Sequence, residues 1–314
     1  MRILVTGGAG FIGSHLVDRF VSLGHDVVAL DDLSSGKRDN VNAGAKLIVN
    51  DVRGCSDAVR AVAPQVVVHH AAQMDVRKSV QDPAFDADVN LVGLLRVLEG
   101  ARQGKALEHV IFASSGGAMY GEQSQFPAPE THAVNPESPY GLAKAVSEQY
   151  LAWYRRMYGV TSTSLRYGNV YGPRQNPHGE AGVVAIFCAR ILHGQPLTIF
   201  GDGAQTRDYV FVEDVVNANA LALDKRPHGG FNVGTGVETD VNVLARSLVN
   251  AGVASGHAGT DIVHAEARAG EQKRSVIDPR AYEAAVGWRP TVSVEDGLAR
   301  TFAWFAERQA AGQG

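Results

Sequence analysis

Apolar residues in this chain gather in short unbroken runs rather than alternating with polar ones: Ile3 to Thr6, Val27 to Leu30, Leu47 to Val49, Val66 to His69, Val110 to Ala113 and Thr163 to Arg166. A strand with one wet face would alternate with period two, so such runs predict strands covered on both faces, as in parallel sheets. Between the runs the spacing changes to three and four, as at Leu16, Val17, Phe20 and Leu23, which predicts connecting helices. Strand and helix in turn predict an α/β fold built on a doubly wound parallel sheet. Past Tyr167 the pattern loosens into segments rich in Gly and Pro, such as GPRQNPHGEAG and GQPLTIFGDG. The expected division is residues 1–167, with a returning segment near 208–235, and a smaller C-terminal α/β substrate domain made mainly of residues 168–314.

Composition changes this picture little. At 314 residues, 45% hydrophobic and 20% charged, the chain has an ordinary globular balance and ample core. With a net charge of -4 and scattered Lys and Arg, nothing calls for nucleic acid as a partner. No apolar stretch approaches the ~20 residues of a membrane-spanning helix. Cys55 and Cys188 are too distant in sequence to suggest a disulfide framework, so a reducing, cytoplasmic setting is expected. His69 and His70 are neighbours on a strand, point to opposite faces and have no third ligand nearby, so no metal is expected.

The chemistry begins at the first turn. Gly7-Gly8-Ala9-Gly10-Phe11-Ile12-Gly13 lies between the first strand and the first helix. Glycines there allow a tight turn and close approach to a pyrophosphate, whose charge rests on the helix N-terminus. In this context the motif marks a dinucleotide site in a Rossmann-type sheet. Asp31, at the end of the second strand, suits the adenine ribose hydroxyls. Asp31 and Asp32 together would repel a 2′-phosphate, which favours NAD over NADP. Asp51 and Val52, after the third strand, are candidates for the adenine.

Residues 138–145 read SPYGLAKA. Ser138 is a natural N-cap and Pro139 suits the first helical position. The cap explains the helix start but not Tyr140 and Lys144, which lie four apart on one face.

Together TGGAGFIG, SPYGLAK and IFGDGAQTRDYVFVEDV resemble the extended short-chain dehydrogenase/reductase family, and within it the 4-epimerases of UDP-hexoses, over essentially the whole chain. The resemblance implies an NAD-binding domain, a second domain gripping a nucleotide sugar, and a catalytic Ser/Thr, Tyr and Lys. Tyr140 and Lys144 match the YxxxK pair. The hydroxyl partner falls in ASSGGAMYG: counting from Tyr120 leads to Gly116, counting from Tyr140 favours Ser115, and Ser114 stands in reserve. Cofactor contacts implied besides Tyr140 and Lys144 are Gly7, Gly10, Phe11, Ile12, Gly13, Asp31, Asp32, Ser35, Gly36, Asp51, Val52, His70, Ala71, Ala72, Asn90, Ser114 and Tyr167. Substrate contacts implied besides Ser115 and Tyr140 are Gln73, Asn169, Val184, Phe187, Thr198, Phe200, Arg207, Arg268 and Glu271. Of these, Arg207 and Arg268 match arginines on the diphosphate, Glu271 an acid on the uridine ribose and Asn169 a phosphate or sugar ligand. Phe200 would lie against the uracil, whose edge would meet backbone near Val184 to Phe187.

The related dehydratases carry Asp-Glu where this chain has Gly117-Ala118, so the resemblance favours plain epimerisation. Ser275 stands where some relatives have a bulky residue, so N-acetylated UDP-hexoses are expected to enter as well. A homodimer through the Tyr140 helix is implied by the same analogy. UDP-glucuronate 4-epimerase remains an alternative, as does a non-catalytic NAD-sensing protein, although the latter needs neither the Tyr/Lys pair nor the arginines. The implied route inverts C4 through a transient ketone, with Tyr140 as phenolate taking the hydroxyl proton. Bringing a tyrosine from a pKa near 10 to ~7 takes about 4 kcal/mol. A cation ~4 Å away supplies about that at an effective dielectric near 20. Lys144 and the nicotinamide are the expected sources.

Overall fold

The computed structural model describes residues 1–177, 182–267 and 272–312. Its strands are β1 (Arg2–Thr6), β2 (Asp26–Asp31), β3 (Lys46–Val49), β4 (Val66–His69), β5 (His109–Ser115), β6 (Thr161–Tyr167), β7 (Asn169–Tyr171), β8 (Leu197–Phe200), β9 (Thr206–Arg207), β10 (Tyr209–Phe211), β11 (Gly229–Val233), β12 (Thr239–Asp240), β13 (Ile262–Ala265) and β14 (Arg274–Ser275). A seven-stranded parallel sheet has the order β11-β6-β5-β4-β1-β2-β3. The order reverses between β1 and β4, and ligands of such sheets bind in the crevice beyond the strand ends at that point.

The unbroken apolar runs serve both faces of this Rossmann-type sheet. Along β1, Ile3 and Val5 enter a core with Phe20, Ile111, Leu165 and Trp288, while Leu4 enters the opposite core with Val67, Leu98, Phe112 and Leu151. A third core lies in the C-terminal half, where Phe187, Ile199, Leu244, Leu248 and Phe302 pack together. The helices Val183–Leu192, Val241–Ala254 and Val294–Ala310 build it with β8 and β13. β11 returns to the main sheet beside β6, with the helix Val212–Lys225 leading into it.

One difference from the sequence pattern matters for chemistry. The apolar run of the fifth strand ends at Ala113, but β5 continues through Ser114 and Ser115, opposite Arg166 and Tyr167 of β6. Ser114 and Ser115 form a strand end running straight into the helix Gly116–Tyr120. Strand alternation therefore sends the two serine hydroxyls to opposite faces.

Candidate active site

The glycine turn is closed to side chains. Gly7 has φ +68°, and a Cβ there would lie 2.8 Å from the Ala71 nitrogen; one on Gly13 would lie 2.0 Å from the Gly7 carbonyl oxygen. The helix Phe11–Ser22 starts at Gly10 with no side-chain cap and no acidic residue in its first turn. Its N–H groups and positive end are thus open to an anion. Buried Asp31 accepts from Ala9 N at 2.9 Å and Leu33 N at 2.8 Å, and Gly36 packs against it so closely that a Cβ would fall 2.8 Å from Oδ1. Asp32 is exposed and accepts from the Ser34 amide and hydroxyl; Ser35 is exposed beside it.

Three of the expected cofactor residues have partners within the protein. The Arg53 guanidinium, 2.6 Å from Asp51, holds that carboxyl below the usual range, and Val52 is buried against Gly93. Tyr167 points into the core, where its hydroxyl meets His70 Nε2 at 3.0 Å and accepts from Asn219 at 2.8 Å. Thr6 Oγ1 fixes the strand end above, accepting from the His70 and Ala71 amides, with Ala72 following. His69 Nδ1 lies 2.9 Å from the same hydroxyl and its ring stacks on Phe112. Burial, then the Lys144 charge, pushes both histidines down to about 3. His70 Nδ1 is buried with no hydrogen-bond partner among the described residues. Asn90 lies on a π-helical turn, Asp88–Val92, which turns its amide toward Gln73. The side-chain-free cradle, the uncapped helix start and the orphaned His70 nitrogen fit a dinucleotide at the strand ends.

Beside this cradle Ser138 caps the helix Pro139–Tyr158 by accepting from Gly141 N at 3.2 Å. The cap orients Tyr140 and, one turn on, Lys144. Lys144 is buried; its Nζ donates to the Ala113 carbonyl at 2.8 Å and sits 4.8 Å from the Phe112 ring centre and 5.6 Å from that of Tyr140. Burial draws its pKa down to about 8, against the pull of Asp86 and Glu148. Tyr140 is pushed up to about 12, first by burial and then by Asp86. Within the protein alone, then, burial holds the phenol high, and the ammonium, which the sequence reading paired with the nicotinamide as the source of the shift, is turned to a carbonyl.

The serines separate clearly. Ser114 is buried and donates to Glu148 at 2.7 Å. Ser115 is partly accessible and accepts from Ala118 N at 3.2 Å as N-cap of Gly116–Tyr120, leaving its hydroxyl hydrogen to donate. That turn abuts the Tyr140 helix, for a Cβ on Gly141 would lie 2.3 Å from the Ala118 carbonyl oxygen.

From the C-terminal half, β9 lies between β12 and β14, with Arg207 opposite Ser275. Ser275 is buried, and its Oγ would be 3.3 Å from a Cβ on Gly117. The ribbon thus brings Ser275 against the Ser115 turn, with Arg207 on the neighbouring strand. Asn169 is exposed at the start of β7, Phe200 is half-buried at the end of β8, and Thr198 Oγ1 accepts from Arg190 at 2.6 Å. The Val184 and Phe187 side chains are core, which leaves only their backbone for a ligand. Arg268 and Glu271 lie outside the described residues. No cluster of metal-ligating side chains occurs among the described residues, and none of their helices is long and apolar enough to cross a membrane.

Sequence reasoning missed two acids, one partly buried and one buried. Glu148, four residues beyond Lys144, forms an ion pair with Arg166 at 2.7 Å and accepts from Ser114. Asp86 accepts from Gln73 Nε2 and Asn90 Nδ2. The signal was present in both cases: an acid spaced i, i+4 from a residue already singled out.

The model of the NAD dependent epimerase/dehydratase family matches residues 3–234. A UDP-glucose 4-epimerase of Mycolicibacterium smegmatis is 44% identical over 321 residues, covering 98% of this chain and 99% of that protein. The crystal structure of UDP-glucose 4-epimerase from Thermotoga maritima with UDP-glucose gives a TM-score of 0.93 at 44% identity, covering 98% of this chain and 100% of the other. That of the Thermus thermophilus enzyme with NAD gives 0.90 at 46% identity, covering 97% and 99%.

Proposed function

Because this chain belongs to the NAD dependent epimerase/dehydratase family, we propose that it is a 4-epimerase interconverting UDP-galactose and UDP-glucose through a transient 4-keto sugar, with NAD held between turnovers. The observation that carries this reading is the convergence of Tyr140, Lys144 and the accessible Ser115 hydroxyl beside a glycine cradle closed to side chains. When bound there, NAD supplies a two-electron acceptor that takes hydride from C4 and returns it to the opposite face.

The protein's part is proton transfer and grip. Tyr140 accepts the C4 hydroxyl proton and gives it back, and Ser115 donates to the same substrate oxygen and orients it. Lowering Tyr140 from about 12 to ~8 requires about 5 kcal/mol of preferential phenolate stabilisation. A charge at the 5.6 Å separating Lys144 from the tyrosine ring supplies about 3 kcal/mol at an effective dielectric near 20. Lys144 alone falls short, so a second positive charge is required. Arg207 and, by the family pattern, Arg268 serve the diphosphate, and Glu271 the ribose. The small side chain of Ser275, buried beside Gly117, supports turnover of N-acetylated UDP-hexoses too. The exposed Leu142, Tyr150, Trp153 and Met157 of the Pro139–Tyr158 helix support a homodimer, which light scattering tests directly. Cys55 and Cys188 are both buried and free, which favours the reducing cytoplasm as the place of action.

The deciding experiment incubates the purified protein, without added NAD, with UDP-galactose, UDP-glucuronate and UDP-GlcNAc separately and identifies the products. Formation of UDP-glucose from UDP-galactose is expected. Conversion of UDP-glucuronate alone would replace this substrate assignment, and no conversion by NAD-loaded protein would end the epimerase reading.

A further inference from the structure

Asp86 lies on the short helix Pro83–Ala87, which packs against both the helix Val76–Gln81 and the helix carrying Tyr140 and Lys144. It is 1% exposed. Oδ1 accepts from Gln73 Nε2 at 3.0 Å and from Asn90 Nδ2 at 2.9 Å. Gln73 and Asn90 also bond each other, Gln73 N to Asn90 Oδ1 and Asn90 Nδ2 to the Gln73 carbonyl, both at 2.9 Å. Oδ2 is buried without a hydrogen-bond partner among the described residues. A buried carboxyl with one bare oxygen is costly unless nearby charge compensates it.

We propose that Asp86 is a positioning residue for the reaction: it ties the Gln73 loop to the Asn90 turn and serves as a buried counter-charge to the Lys144 ammonium. This rests on the epimerase reading for its catalytic meaning, while its electrostatic content is independent of it. The other titratable groups facing the Tyr140–Lys144 pair are His69 and His70, both driven neutral by burial, and Glu148, already paired with Arg166. On the outer side of the Asp86 helix, Asp88 pairs with Arg53, and Lys78 lies over the Phe85 ring. Asp86 and Glu148 both support the charged form of Lys144, and Asp86 opposes ionisation of Tyr140. Neutralising Asp86 without changing its shape therefore moves both groups in the same direction, toward lower pKa.

The test compares Asp86→Asn with Asp86→Ala in the NAD-containing enzyme. Asparagine keeps the acceptor facing Gln73 and Asn90 and removes the charge. Expected is a bell-shaped kcat–pH profile whose acidic limb, set by Tyr140, and alkaline limb, set by Lys144, both shift acid by roughly one unit. Asp86→Ala, which also breaks the two hydrogen bonds, is expected to lose on the order of 100-fold in kcat at every pH. A merely structural residue would lower the profile without moving it. A second readout needs no activity: stability rises with pH as Lys144 loses its proton in the folded state, and this rise should begin at lower pH in Asp86→Asn. If wild-type protein converts no UDP-hexose, the functional reading fails, yet the stability step still judges Asp86. Folded Asp86→Asn protein with both the profile and the step at their wild-type pH overturns the proposal.

Discussion

Lys144→Met is the substitution in which stability and activity should part most clearly. In the unfolded chain this amine titrates near 10.5; in the folded protein burial lowers it to about 8. Below pH 8 both states hold the proton and the stability difference is flat. Between pH 8 and 10.5 the unfolded state holds more protons, so stability rises with pH. At about 1.4 kcal/mol per unit, the whole step is about 3 kcal/mol. Methionine fills similar space without the charge and abolishes the step. It also strips the Ala113 carbonyl of its 2.8 Å donor, which costs about 1–3 kcal/mol, so midpoints at neutral pH are a poor readout. The pH dependence is free of that offset, because the lost hydrogen bond is missing from the variant at every pH. Urea unfolding of nucleotide-free protein, followed by tryptophan fluorescence at pH 7 and pH 10, should show wild type gaining about 2 to 3 kcal/mol relative to the variant over that interval. The variant should be inactive on UDP-galactose. Parallel pH dependence in the two proteins would refute the claim that a buried ammonium is maintained here at the expense of stability.

Three further outcomes follow from the same geometry. Ser115→Ala should lose about 1 kcal/mol of stability with its helix cap and at least tenfold in kcat, whereas Ser114→Ala should stay within a few-fold of wild-type turnover; melting curves and steady-state rates with both variants distinguish them. Gly13→Ala places a Cβ 2.0 Å from backbone and should purify without NAD, read from the ratio of absorbance at 260 and 280 nm; retention of stoichiometric nucleotide would disprove the tight-turn account. Phe302→Ala, in the C-terminal core, should cost about 3–5 kcal/mol in urea unfolding, and a loss below 1 kcal/mol would mean that this core is not closely packed.

The fold was legible because its strands are buried on both faces. A run such as ILVT has one reading when helices follow at regular intervals, and the six apolar runs correspond to β1 through β6. Length was less legible at β5, since Ser114 and Ser115 carry no apolar signal and join the ladder through the backbone pairing of β6. That extension could not be read from residue type, yet it decides which serine hydroxyl is accessible. Glycine positions were legible for a similar reason: a motif specifies backbone geometry, and only backbone crowds Gly7 and Gly13. Occupancy of polar groups was not legible. Asp51 looks free in sequence and is held by Arg53, two residues on, while Tyr167 looks like a ligand contact and lies in the core with Asn219.

The charge state of Tyr140 shows why spacing alone misleads about electrostatics. A lysine four residues along a helix puts a cation within reach of a phenol, which is all that sequence can promise. Reach does not guarantee enough stabilisation: Lys144 donates to the Ala113 carbonyl, and the same burial that lowers the lysine raises the tyrosine. Burial moves both groups toward their neutral forms, so the fold by itself resists the ion pair that chemistry requires. An additional positive charge beside the phenol reverses the balance for Tyr140 but disfavours protonated Lys144, unless a buried anion such as Asp86 opposes the second effect. On this account the site needs its unpaired carboxylate oxygen because it needs two cations around one phenolate, a requirement visible only when burial, charge and hydrogen bonding are weighed together.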